Sequence, residues 1–157
     1  MPQSKLSASP TGLWADDSGS ASLEFVTVGL VLLVPLVYLV LAMSSIQAGA
    51  LAVEGAARQA ARVFVQSADL DSARASATRA VEFALADHGI DPDSASIAVS
   101  CEPRPSSCLT RQGFVTVTVA LSVALPLLPP VLNGDFPVAV PLTGTATQQV
   151  SRFWSGG

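Results

Sequence analysis

The chain has 157 residues, half of them hydrophobic and 13% charged, with a net charge of −4 at pH 7. That is the length of one ordinary domain, and whatever part lies in a membrane must be subtracted from it. The eight basic residues are scattered, so no basic face exists to track a phosphate backbone, and nucleic acid is excluded as a partner.

In chain order, the first feature is an apolar run. No charge occurs between Glu24 and Glu54, and the 22 residues from Phe25 to Ile46 are nearly all apolar. Coiled as a helix they extend roughly 33 Å, enough to cross a hydrocarbon core of about 30 Å. A core helix in so small a domain needs only one apolar face, whereas lipid demands apolar residues all round. The run therefore predicts a membrane span from Phe25 to Ile46, with Pro35 removing a backbone donor near its middle and bending it there. Tyr38 lies too deep to be an interfacial anchor. The competing reading is a cleaved secretory signal ending at the small residues Ala48-Gly49-Ala50. Against it, the run exceeds the usual apolar region of about 7–15 residues, and the stretch before it sets only Lys5 against Asp16 and Asp17.

Past Ile46 the apolar residues become periodic. Ala48, Leu51, Ala52, Gly55, Ala56, Gln59, Ala60, Val63 and Phe64 recur every three or four positions, so the helix is expected to leave the bilayer and continue to about Gln66. Glu54, Arg58 and Arg62 fall at fourth positions opposite this stripe, the pattern of a solvated face. Gly49, Gly55 and Ala56 permit close approach of a neighbouring helix or of the domain's own sheet. A second helix is expected from Leu70 to about His88, capped by Asp69, with Asp71 in its first turn and Gly89 just past its end. Its apolar face is Leu70, Ala73, Ala77, Ala80, Val81, Ala84 and Leu85. His88 is the single histidine; its place at a helix C-terminus is accounted for by the dipole, and no metal site is expected around it.

From Ser94 the pattern alternates. Ala95, Ile97 and Val99 mark one side of a short strand, and Val115, Val117, Val119, Leu121, Val123 and Leu125 one side of a long strand. A third strand is expected from Val138 to about Val150, with Val138, Val140, Leu142, Ala146 and Val150 on one face and Thr143, Thr145 and Thr147 on the other. Pro141 makes it an edge strand or a bulge. The link Pro126 to Pro137, with four prolines and Asn133-Gly134-Asp135, is expected to be a rigid loop. Cys101 and Cys108 bracket the loop between the first two strands. Two more ligands would be needed for zinc, and the spacing is not that of C-x-x-C redox sites, so a structural disulfide is expected.

The residues before the span read GSASLEF from Gly19 to Phe25, and the helix after it contains EGAARQAAR from Glu54 to Arg62. Gly19 followed five positions later by Glu24 at the edge of an apolar run resembles the leader of type IV pilin-like proteins. More narrowly, the combination resembles the TadE-like family of tight-adherence pilus assembly proteins, over Gly19 to about Val65 and in general layout beyond. The resemblance implies a leader over residues 1–19, cut by a prepilin peptidase between Gly19 and Ser20, and Glu24 as the fifth mature residue. Glycine leaves the backbone unobstructed for a protease. Cutting frees an α-amine at Ser20, and a carboxylate in lipid needs a partner, so Glu24 would accept the amine of a neighbouring subunit and, with Phe25, set register in a bundle of helices. The plainer alternative is an interfacial carboxylate favoured by the helix dipole.

The expected fold is α+β and pilin-like: residues 20–66 form the span and its extension, and residues 67–157 a head with a second helix and a small antiparallel three-stranded sheet. Counting Arg58 and Arg62 alone would put the head in the cytoplasm; the cysteine pair and the leader pattern argue for an extracytoplasmic head on a single-pass protein of a bacterial plasma membrane. No motif for a nucleophile, a phosphate or a cofactor is present, so neither catalysis, a cofactor nor a small-molecule substrate is expected. The function expected is that of a minor pilin-like subunit in pilus assembly, whose partners are membrane lipid, the prepilin peptidase and other pilin-like subunits. The alternative is a signal-anchored or secreted binding module unrelated to pili.

Overall fold

The computed structural model describes residues 20–126 and 139–155. The leader residues 1–19, Val138 and all but the first residue of the proline-rich link lie outside them. By contacts the chain divides into two units, Met1–Val37 and Tyr38–Gly157.

The described part of the first unit is helical and belongs to α1, Ser20–Gln66, which runs unbroken through Pro35. Every side chain from Ala21 to Val37 is exposed, Phe25 at 80% and Leu32 at 67%. The hydroxyl of Thr27 donates to the Leu23 carbonyl at 2.7 Å, so this polar group in the apolar run is satisfied by its own helix.

The second unit is an α+β sandwich of two helices against one sheet. After α1 come α2 (Leu70–Ala86), a short 3-10 turn (Pro92–Ser94), and strands β1 (Ser96–Glu102), β2 (Phe114–Ala124) and β3 (Ala139–Gln149). The sheet is antiparallel in the order β1-β2-β3. Alternation sorts β2 as expected: Val115, Val117, Val119 and Leu121 are buried, and they meet Ala52, Val53, Ala56, Ala57, Ala60, Ala61 and Phe64 of α1 and Ala73, Ala77, Val81 and Leu85 of α2 in one core. The outer face carries Thr116 against Thr147 at 2.8 Å and Thr118 against Thr145 at 3.3 Å, cross-strand hydroxyl pairs that suit a wetted surface. Pro141 lies in β3, an edge strand, where a missing donor is tolerated.

Two expectations are corrected, and one strand is less covered than the others. The buried stripe of α1 is centred on Gly49, Ala52, Val53, Ala56, Ala57, Ala60, Ala61 and Phe64, while Ala48, Leu51, Gly55 and Gln59 are exposed; Ala57 and Ala61 take the places assigned to Gly55 and Gln59. In β1, Ile97 and Val99 remain 36% and 37% exposed, and Cys101 is the buried residue of that strand, because β1 is an edge strand that the helices only partly cover. Helix α2 stops at Ala86, two residues before His88. The chain then closes with Gly89 N–H donating to the Ala86 carbonyl at 2.9 Å and Ile90 N–H to the Leu85 carbonyl at 3.0 Å. Gly89 has φ +67, the left-handed conformation that this closure requires and glycine supplies cheaply.

The start of α2 is as expected. Asp69 accepts from the Ser72 N–H at 2.8 Å, and the Ser72 hydroxyl reaches back to the Asp69 N–H at 3.4 Å, a reciprocal cap. The Ser72 N–H, then its hydroxyl, holds the Asp69 carboxyl below its ordinary range.

Candidate functional site

The candidate site is α1 itself, and its two parts are built differently. The exposed apolar part is a helix long and apolar enough to cross a membrane, with mean hydropathy 2.7 in its most apolar window and none of that window buried. Ser20 and Glu24 are both helical, one turn apart, and Glu24 and Phe25 are exposed. Gly19 lies outside the described residues. Ile46, expected to end the span, is already half-buried.

The packed part is closed by two glycines. A methyl group added at Gly49 would stand 2.6 Å from Val123 Cγ2 and 2.8 Å from Leu142 Cδ1; one added at Gly144 would run into the Val53 carbonyl and stand 2.6 Å from the Glu54 nitrogen. β3 therefore lies directly on the α1 backbone, a distance only glycine permits. Gly55 faces open space, so Gly49 and Ala56 serve the domain's own sheet and Gly55 does not. On the solvated side Arg58 donates to Glu54 at 2.8 Å, the expected i to i+4 pair, worth about 0.3–0.5 kcal/mol when exposed.

Cys101 and Cys108 are disulfide-bonded, with Cα atoms 5.0 Å apart. On a chain-entropy estimate, closing an eight-residue loop stabilises by roughly 2.5 kcal/mol. Beside the bridge, a shallow depression between α2 and β1 is lined by Phe64, Ala77, Ile97, Val99 and Cys108, with Arg74 at its rim. It is where the partial cover of β1 leaves apolar surface open. Among the described residues no three His, Cys, Asp or Glu side chains gather as metal ligands, and His88 is exposed.

One structural residue was not singled out from the sequence. Trp154 donates its indole N–H to the Ser67 carbonyl at 3.0 Å, and Arg111 donates to the Trp154 carbonyl at 2.8 Å. The C-terminal segment is thereby pinned over the α1–α2 turn. The available signal was a tryptophan in a chain with 6% aromatics, placed just after the last strand. No family model, no curated protein and no solved structure matches the chain.

Proposed function

We propose that this chain is a minor pilin-like subunit for tight-adherence pilus assembly, held in a bacterial plasma membrane by α1 with its α+β head outside the cytoplasm. The observation that carries the reading is a single helix whose residues from Ala21 to Val37 are exposed on every side, while the same helix from Gly49 to Phe64 is the backbone of the head. Water opposes such a surface; lipid or the apolar helices of like subunits accept it. The leader pattern, the one-turn spacing of Ser20 and Glu24, and a disulfide of the kind that persists outside the cytoplasm support the machine and the orientation. In this reading prepilin peptidase cuts after Gly19, and Glu24 accepts the freed amine of a neighbour within the apolar bundle.

The packing of Gly49 on Val123 and Leu142 favours keeping the whole of α1 over removing it near Ala50. N-terminal sequencing and intact mass of the membrane-fraction protein test this, beside the Gly19→Val variant. A mature start at Ser20 that shifts to the uncut mass in the variant supports the proposal. Equal masses with the leader retained end the processing claim, and a soluble product starting beyond residue 50 replaces it with a secreted module.

A further inference from the structure

The register of α1 on the sheet fixes how far the head stands from the lipid, and this inference rests on the membrane reading above. Gly144 lies on Val53 and Glu54, whereas Val123 and Leu142 lie on Gly49. Passing down α1 from Val53 toward Gly49, and so toward the apolar run, therefore passes down β3 from Gly144 toward Ala139 and up β2 toward Ala124. Val123 pairs with Val140, and Ala124 with Ala139. With about 3.3 Å per strand residue and 1.5 Å per helix residue, the last pair of the sheet stands within about 6 Å of the level of Ile46. Leu125 and Pro126 follow Ala124 in the chain at this same end of the sheet, and both are half-buried.

Ile46 is where the apolar run ends. Ile46 and this end of the sheet belong to the same unit, Tyr38–Gly157, and the packing of β2 and β3 on α1 at Gly49 and Gly144 sets their relative level. The headgroup layer is only about 5–8 Å thick on each side of the hydrocarbon. We propose that the end of the sheet formed by Ala124, Leu125, Pro126, Ala139 and Val140 is seated in the headgroup layer of the same bilayer that holds α1, as a second lipid contact. Its chemistry fits: these five residues are uncharged and apolar. One side of α1 at the same level is shielded, at Ala42, Ser45, Ile46 and Gly49, and the other is open, with Leu41 44% and Met43 51% exposed. Asp93 flanks this end, in a depression shared with Ser122 and Pro141. A carboxylate there is repelled by an anionic surface, so the lipid expected is zwitterionic.

The test is photo-crosslinking of the full chain in phosphatidylcholine vesicles, with p-benzoylphenylalanine placed singly at Leu32, Leu125 or Phe114. Phe114 is exposed at the opposite end of β2, about 33 Å of strand away. Lipid adducts at Leu32 and Leu125 with none at Phe114 are expected. Adducts at Leu32 but none at Leu125 overturn the seating and leave the membrane reading intact; no adduct at Leu32 removes the membrane reading and the seating with it. Should the Leu125 variant lose its Cys101–Cys108 disulfide, a sign of misfolding, Pro141, exposed at the same end, takes the probe and is scored the same way.

Discussion

One helix is stabilised in two unrelated ways along its length. Between Ala21 and Val37 its side chains are mostly large, branched and exposed; none of the described residues covers them, and what holds this part is the helix's own backbone hydrogen bonds. Between Gly49 and Phe64 six of the eight buried positions are Gly or Ala, and the stabilisation comes from how closely a sheet can approach. The lesson is that apolar content alone does not say what a helix packs against. Large residues all round suit an external apolar medium, and a stripe of small ones marks a closely approaching partner, here the domain's own sheet.

That contrast can be broken most sharply by truncating one large residue in each part. Phe64→Ala removes the largest fully buried side chain and is expected to cost the head about 3–5 kcal/mol. Leu32→Ala, at a site 67% exposed, should leave it within about 0.5 kcal/mol of the parent. Urea unfolding of the detergent-solubilised chain, followed by near-UV circular dichroism, measures both; equal losses would mean that the two parts are not built differently. Next in size, reducing the Cys101–Cys108 bridge should lower head stability by roughly 2.5 kcal/mol and leave retention of the chain in vesicles unchanged, read by flotation before and after reductant. Among the glycines, Gly144→Ala is expected to cost about 1–3 kcal/mol, since its methyl meets backbone that cannot yield. Gly55→Ala, facing open space, should stabilise by about 0.5–1 kcal/mol through helix propensity. Opposite signs in the same urea assay are the prediction; a like sign refutes the clasp.

The smallest effect concerns pH. Because the Ser72 N–H lowers the Asp69 carboxyl in the folded state, the cap stabilises above the unfolded pKa and is lost as pH falls through the folded one. Helicity of α2 should therefore decline in acid below the ordinary carboxylate range, and Asp69→Asn should flatten that dependence in far-UV dichroism recorded against pH.

Much of this was legible in the amino-acid order. The end of α1 at Gln66, the Asp69 cap, the alternation of β2 and the pairing of the two cysteines all follow from local patterns, and all are present. The buried face of α1 was misplaced by one position because Ala48, Ala52, Ala56, Ala57, Ala60 and Ala61 differ in nothing but location, and a helix of alanines shows no contrast in size to mark its inner side. Ile97 and Val99 lie on one side of β1 and still remain over a third exposed, because alternation reports which side of a strand a residue takes and says nothing of whether a helix reaches that far. The clasp at Gly144 and the pin at Trp154 join residues 90 and 87 positions apart, and no local pattern encodes such a meeting.

Pro141 has a bearing on neighbours as well as on its own strand. Subunits concentrated in a two-dimensional sheet of lipid meet side by side, and an uncapped strand invites zippering from one copy to the next. Among the described residues β3 is such a strand, eleven residues long and bordered by uncharged threonines, yet at Pro141 it lacks an amide hydrogen. In the membrane setting proposed above, copies would lie side by side, and a strand edge interrupted at Pro141 would disfavour their pairing through β3.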